Sequence, residues 1–333
     1  MANTNYTGLS AAAAELVVNR DWTNQVTGAC AILACIKDRT LGFNKGFTIS
    51  GLKAITPLIH AMASGVTAGN IGVADANEVP SAWPTYVGTA GLTQAEFEFT
   101  HLRVAMSLKN SEQVLGRNGV RADLLEGKTK QMMATFADSI ATMIEGNSNN
   151  ASRTSLLGLA YANATANVVG NIDQSTYSYW QAQVQTGIGP ITLPIIDNAY
   201  DNICRFANGS GETYAPDLLL LANPSGSAVN VYGRVRGLIA PAERVVNADF
   251  QGKYGFQNFQ YLGMKCVQSS RMAAGTAHML TTKAWFFGGQ DTPKLLDIQR
   301  IPGSDALDYM WNQWVCLMTN QIRVNAKLTG ITQ

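Results

Sequence analysis

Between Asn118 and Gly146-Asn147 the chain carries one long helical period, and no other feature limits its architecture so tightly. Leu125, Met132, Met133, Phe136, Ile140, Met143 and Ile144 recur at the three- and four-residue spacing of a single helix face. Lys128, Lys130, Asp138 and Glu145 fall largely elsewhere on the wheel. Asn118 can cap the helix and Gly146-Asn147 can stop it. Gly127 costs about 1 kcal/mol relative to alanine, so irregular first turns are expected. At 1.5 Å per residue the stretch 120–145 would run about 39 Å. A helix of that length is a beam, and its methionine-rich stripe reads as core.

The segment before the beam has a different character. Residues 64–95 show no helical period and are punctuated by glycine and proline. Then "EFEFTHLRVAMSL" (96–108) alternates, with Phe97, Phe99, Leu102, Val104 and Met106 as its apolar members. The change of parity after Phe99 reads as a bulge. Together these predict a long, exposed, two-stranded arm whose return strand is 96–108. A loop so long inside a compact domain is usually functional or disordered.

Downstream, residues 190–208 repeat at helical spacing through Ile195, Ile196, Ala199, Ile203 and Phe206, with Pro194 near the start. "DLLLLAN" (217–223) is a short apolar run between prolines, the pattern of a strand buried on both faces. Another helix is expected over 225–236, and strands over 259–269 and 277–282. From 294 the chain becomes strand-rich again. It ends in "QIRVNAKLTG" (321–330), where Ile322, Val324, Ala326 and Leu328 alternate with Arg323, Asn325 and Lys327. We read this as one half-buried strand against the long helix, with the polar members facing outward and tolerant of alanine. The whole is an α+β chain whose ends form one unit and whose middle forms another.

Composition narrows the function. Charged residues are 14% of the 333, against roughly 25% in ordinary soluble domains. Lys+Arg (24) and Asp+Glu (23) nearly cancel, leaving +1 and no general field for nucleic acid or acidic membrane. A surface so poor in charge tends to associate. The basic cluster Lys37, Arg39, Lys45 and Lys53 against Asp38 reads first as a solvated segment and second as weak phosphate contacts. The amino terminus lacks a basic stretch followed by an apolar core, so no secretory signal is expected. No apolar run reaches the ~20 residues of a membrane helix. An outer-membrane barrel would add aromatic girdles, and none is visible. The five scattered cysteines read as free, mostly buried thiols of a reducing compartment.

Residue patterns that carry chemistry are scarce. His60, His101 and His278 show no metal-binding spacing, and no nucleophile elbow or phosphate loop is present. Pro190 spoils the "GIGP" (187–190) glycine pair as a phosphate cradle. Glu96/Glu98 and Asp197/Asp201 are spaced like ordinary strand and helix faces. No catalytic, cofactor-binding or metal residue is assigned, and no enzyme is expected. In "DQSTYSYWQAQVQ" (173–185), Tyr177, Tyr179 and Trp180 suit either internal packing or a subunit contact.

The order of elements resembles the major capsid proteins of tailed bacteriophages, with the Hong Kong 97 capsid fold. The resemblance spans roughly 50–331 and rests on four stretches. They are "GLAYAN…IDQSTYSYWQAQV" (158–184), "PDLLLLANPSGSAVNVYG" (216–233), "YLGMKCVQSSRMAAGTAHMLTTK" (261–283) and "WNQWVCLMTNQIRVNAKLTGI" (311–331). It implies an N-terminal arm at 1–55 and an extended loop (E-loop) hairpin at 56–108. It further implies a peripheral (P) domain at 109–189 and 291–333 with spine helix 118–146, and an axial (A) domain at 190–290.

The implied function is a shell of hexameric and pentameric capsomers around double-stranded DNA, assembled in the host cytoplasm and carried in the virion. Trp83 and Tyr86 would be subunit contacts, and Lys37, Arg39, Lys45 and Lys53 sequence-blind phosphate contacts. A portal protein and a decoration protein would be further partners, with no membrane and no cofactor. Members with a long N-terminal assembly domain differ from this chain, so scaffolding is expected from a separate protein. Lys–Asn cross-links occur in some members, but no pair can be assigned here. An encapsulin-like nanocompartment shell is the alternative reading.

Overall fold

A computed structural model of the chain describes residues 31–32, 35, 48–59, 92–109, 120–150, 153–207, 215–224, 226, 229–239, 258–289, 294–300 and 306–332. β1 (Thr48–Ser50), β2 (Lys53–Ile59) and β3 (Leu92–Glu98) form an antiparallel sheet in that order. Ile59 pairs with Leu92 and Lys53 with Glu98. Ala54, Thr56, Ala95 and Phe97 are buried, as the two-residue alternation of a strand requires.

β4 (Thr100–Lys109) begins after the single residue Phe99, yet it belongs to another sheet, pairing with 306–315 along its full length. The parity change is therefore not the expected bulge, and the expected return strand 96–108 is two strands. Phe97 and Phe99 are both fully buried because the chain passes through the core between the sheets.

The helical period is realised as α1 (Val120–Glu145). Met132, Phe136, Ile140 and Ile144 are buried at every fourth position, with Ala137 and Ala141 beside them. This stripe packs on β4. Asn118 and the side chains of Leu125 and Met133 lie outside the described residues. Glu145 corrects the sequence reading, because it is buried: the Ser269 hydroxyl donates to its carboxylate. About two helix turns earlier, Asp138 accepts from Arg271 at 2.5 Å, so the 269–271 turn is tied to the end of α1.

α2 (Leu159–Ala162) precedes four short strands, β5 (Val168–Val169), β6 (Ile172–Asp173), β7 (Gln183–Gln185) and β8 (Gly189–Pro190). α3 (Leu193–Ala207) follows its predicted period, burying Ile196, Ala199 and Ile203. β9 (Leu218–Ala222) is buried at all five residues. α4 (Val231–Leu238) starts where the Asn230 side chain accepts from the Gly233 amide at 2.7 Å. The expected strand 259–269 is a hairpin, β10 (Asn258–Tyr261) and β11 (Met264–Ser269), turned at Leu262-Gly263 with both residues at positive φ. β12 (Ala277–Leu280), β13 (Trp285–Gly289), β14 (Lys294–Arg300), β15 (Ala306–Thr319), β16 (Ala326–Leu328) and β17 (Ile331–Thr332) complete the order.

Two larger sheets result. One has the order β10-β11-β9-β12-β16-β7, with α4 packed on β9 and β11. In the other, β15 pairs with β4 on one edge and with β13 and β14 on the other. The chain passes directly from a strand of one to a strand of the other at 281–284 and at 320–325. Asn325 sits between the crossings and is fully buried. Its Oδ1 accepts from the Thr281 amide (3.1 Å) and the Trp285 indole (3.0 Å). Its Nδ2 donates to the carbonyls of Gln321 and Ile322, each at 3.1 Å.

This arrangement corrects the reading of 321–330 as one strand. Residues 322–325 turn, closed by the Asn325 amide on the Ile322 carbonyl at 3.0 Å. Only 326–328 is strand, inserted between β12 and β7. Ile322, Val324 and Leu328 are buried as expected, and Arg323 is exposed. Asn325 and Lys327 do not face outward. The Lys327 ammonium is half-buried and donates to the Ala160 carbonyl at 2.8 Å.

Burying Ile322, Val324 and Leu328 is worth about 1.5–3 kcal/mol each, a large share of a domain's net 5–15 kcal/mol. A chain stopped at Asn320 should therefore fail to unfold cooperatively in urea. Asn325→Ala strands two buried donors and takes one bond from each of two carbonyls, and should cost about 3 kcal/mol or more. Arg323→Ala should cost under about 1 kcal/mol.

Candidate assembly surface at the base of the hairpin

Alternation along β2 and β3 puts Lys53, Ile55 and Pro57 on one face with Glu98, Glu96 and Gln94. On that face Glu96 is gripped from three sides. It accepts from Lys53 Nζ and Gln94 Nε2, each at 2.8 Å, and from Asn171 Nδ2 at 3.1 Å. The hydrogen bond from Lys53 holds the Glu96 carboxyl below the usual glutamate range, and the same bond raises the Lys53 ammonium. Glu98 accepts from Arg153 Nε at 2.7 Å.

The backbone of β3 and the start of β4 are also held. The Glu96 amide donates to the Gly170 carbonyl at 2.9 Å, and the Thr100 hydroxyl to the Ser155 carbonyl at 2.8 Å. Gly170 adopts φ +60°, and a Cβ there would lie 3.0 Å from the Ala95 methyl and 3.1 Å from the Phe97 ring. Glycine at that position lets the β5–β6 turn approach the hairpin without Ala95 or Phe97 giving way.

The aromatic stretch beside this turn divides into two roles. Trp180 is buried and donates its indole N–H to the Val169 carbonyl at 2.9 Å. Gln174, also buried, donates to the carbonyls of Ala162 (2.8 Å) and Trp180 (3.1 Å). Asp173 accepts from the Ser175 amide and hydroxyl, both at 2.8 Å. These bonds fix the loop, while Tyr177 and Val168 remain exposed on it, Tyr177 with its ring 5.6 Å from that of Tyr179. Trp180 answers to packing, and Tyr177 remains available to a partner surface.

Of the residues singled out from sequence, Trp83, Tyr86, Lys37, Arg39 and Lys45 lie outside the described residues. Lys53 is described, and its charge is paired with Glu96. Sequence reasoning treated Glu96 and Glu98 as an ordinary strand face and missed Asn171 and Arg153. Neither partner is near in sequence, and both sit in loops without periodicity.

Other titratable groups stay apart. His101 stacks on Trp314, ring centroids 4.2 Å apart, and burial followed by the Arg103 charge lowers its pKa. His278 is buried opposite Lys327, and burial, then the Lys327 charge, pushes it down to about 3. Burial pushes the Cys266 thiol up to about 12 and raises Cys316 as well. Among the described residues, Cys35, Cys204, Cys266 and Cys316 form no disulfide, and Cys30 lies outside the described residues. The Asp197 carboxylate accepts from the Tyr261 hydroxyl at 2.6 Å. Among the described residues no group of three or more His, Cys, Asp or Glu side chains could hold a metal, and no helix is long and apolar enough to cross a membrane.

No protein-family model matches the sequence, and no curated protein matches it. Solved structures do match. The chain is similar to the capsid asymmetric unit of cyanophage A-1(L), with TM-score 0.63 and 12% identity over 93% of both chains. It is similar to the capsid of an empty GTA particle, with TM-score 0.53 and 10% identity over 86% of this chain and 87% of that one. A structure from Mycobacterium phage Bobi gives TM-score 0.51 and 12% identity over 87% and 90%. At such identities the likeness is one of fold. The chain has the mixed helix-and-strand architecture of phage capsid structures over nearly its whole length.

Neutral, buried His278 has a measurable consequence. An unfolded chain takes up its proton below the ordinary histidine value of 6.5, whereas the folded chain resists until about 3. Its stabilising contribution is therefore complete above pH 6.5 and is lost as the pH falls toward 3. Urea unfolding should show a slope approaching about 1.4 kcal/mol per pH unit from this group. His278→Gln should flatten that slope by the same amount.

Proposed function

We propose that the chain is the major capsid protein of a tailed bacteriophage, a structural and non-catalytic subunit that assembles itself into an icosahedral shell around double-stranded DNA. The observation that carries this reading is the match to the cyanophage capsid unit over 93% of both chains. The low charge and the three-stranded hairpin standing on the body support it. All three structural matches named above are phage or GTA structures, which favours this reading over a nanocompartment shell with enzyme cargo.

In this reading the fold is of the Hong Kong 97 type. Residues 1–55 are the N-terminal arm and the E-loop hairpin spans 56–98. β4, α1 as spine helix, β13, β14 and β15 form the peripheral domain. The axial domain is built on the six-stranded sheet. We include 183–185 and 326–328 in it because those strands pair with each other and, through β12, with β9. Ending the hairpin at 98 instead of 108 follows the change of sheet at Phe99.

The partners are other copies of the chain in hexameric and pentameric capsomers, with a separate scaffolding protein, a portal protein and a decoration protein. Trp83 and Tyr86 are subunit contacts in the hairpin arm. Packaged DNA is touched without sequence preference, through Lys37, Arg39 and Lys45 more than through Lys53, whose charge is already paired. The shell forms in the host cytoplasm and becomes the virion capsid.

Sedimentation and electron microscopy of the expressed chain, alone and with its scaffolding partner, test this directly. We expect capsomers, shells or sheets. A sole 35.7 kDa species across salt and concentration would overturn the proposal.

A further inference from the structure

Three described non-glycine residues have positive φ: Arg153 (58°), Asn171 (63°) and Leu262 (50°). Two of the three direct their side chains at neighbouring outward carboxylates of β3. Asn171 reaches Glu96 and Arg153 reaches Glu98. Asparagine visits this region with some ease, but arginine rarely does, and glycine would adopt it with less strain than either. The chain does place glycine next door, at Gly170, where a Cβ would crowd Ala95 and Phe97. Keeping side chains at 153 and 171 thus runs against the backbone preference, and what those side chains do is hold β3.

The two contacts come from separate loops. One follows α1 and the other is the β5–β6 turn. They meet β3 two residues apart, about 7 Å along the strand. A single contact would leave a pivot, whereas two fix a direction. Lys53 closes the grip from β2.

We propose that Arg153 and Asn171 are positioning residues for assembly, a two-point clamp on Glu98 and Glu96 that fixes the direction in which the hairpin leaves the body. A hairpin base held in one direction lets a second copy of the chain be met at a set angle. This rests on the proposed reading of the hairpin as the intersubunit arm.

The test uses the full-length chain with Arg153→Gly, Asn171→Gly and both together. Glycine relieves the backbone and removes only the grip, so the thermal midpoint should hold or rise. Amide exchange over 92–98 in unassembled subunits should quicken by about tenfold or more in the double variant. Well-formed shells should fall several-fold in yield. Exchanging the charges, Glu98→Arg with Arg153→Glu, should restore protection at 98 and shell yield relative to Arg153→Glu alone. Unchanged exchange in the double variant would overturn the clamp. A lowered midpoint without rescue by the charge exchange would reduce both residues to a folding role and overturn the proposal. Faster exchange with normal shells would overturn the role in assembly, and would place the fault in the reading of the hairpin as the arm.

Discussion

One buried amide joins the two larger sheets. Asn325 lies where the chain passes from β12 to β13 and, on its later crossing, from β15 to β16. Both of its oxygen acceptor sites and both of its N–H donors are used. A buried, fully satisfied polar group of this kind specifies one arrangement, because any slip leaves several groups unpaired at once. These four hydrogen bonds, with those from the Thr281 hydroxyl to the Val324 carbonyl at 2.8 Å and from the Asn320 amide to the Ala284 carbonyl at 3.1 Å, help hold the long-helix unit and the six-stranded sheet in one relation. The Glu145–Ser269 contact adds a second tie at the end of α1.

A rigid joint and a directed hairpin suit a subunit whose work is geometric. In the proposed shell, copies meet through repeated contacts, and an error in the angle of one element is repeated around every symmetry axis. The energetic demands are modest at any one point. The arm base is held by partly exposed ion pairs, which are weak individually, and it gains definition from Gly170, Phe97 and Ala95 packed behind them. The near-neutral charge removes long-range repulsion between copies.

Periodicity made much of the fold legible. The stripe Met132, Phe136, Ile140 and Ile144 gave α1, and the unbroken run at 218–222 gave a strand covered on both faces. Periodicity failed where the chain changed sheet. Phe97 and Phe99 looked like one strand with a bulge, because alternation records which way a side chain points and not which strand lies alongside. The same limit hid the turn at 322–325, where Ile322, Val324 and Leu328 keep their inward parity through a segment that is not extended. Leu262 concealed a hairpin turn because leucine is a poor signal for positive φ. The clamp residues Arg153 and Asn171 were illegible, since they act through tertiary contacts 55 and 75 residues away in sequence.

The central claim is that the hairpin is anchored to its own body and reaches a different copy. A three-dimensional reconstruction of the assembled particle tests it most directly. The account predicts residues 60–91 lying on a neighbouring subunit, with Glu96 and Glu98 still bound to Asn171 and Arg153 of their own chain. Residues 60–91 packed wholly on their own subunit, with shell contacts made elsewhere, would contradict it.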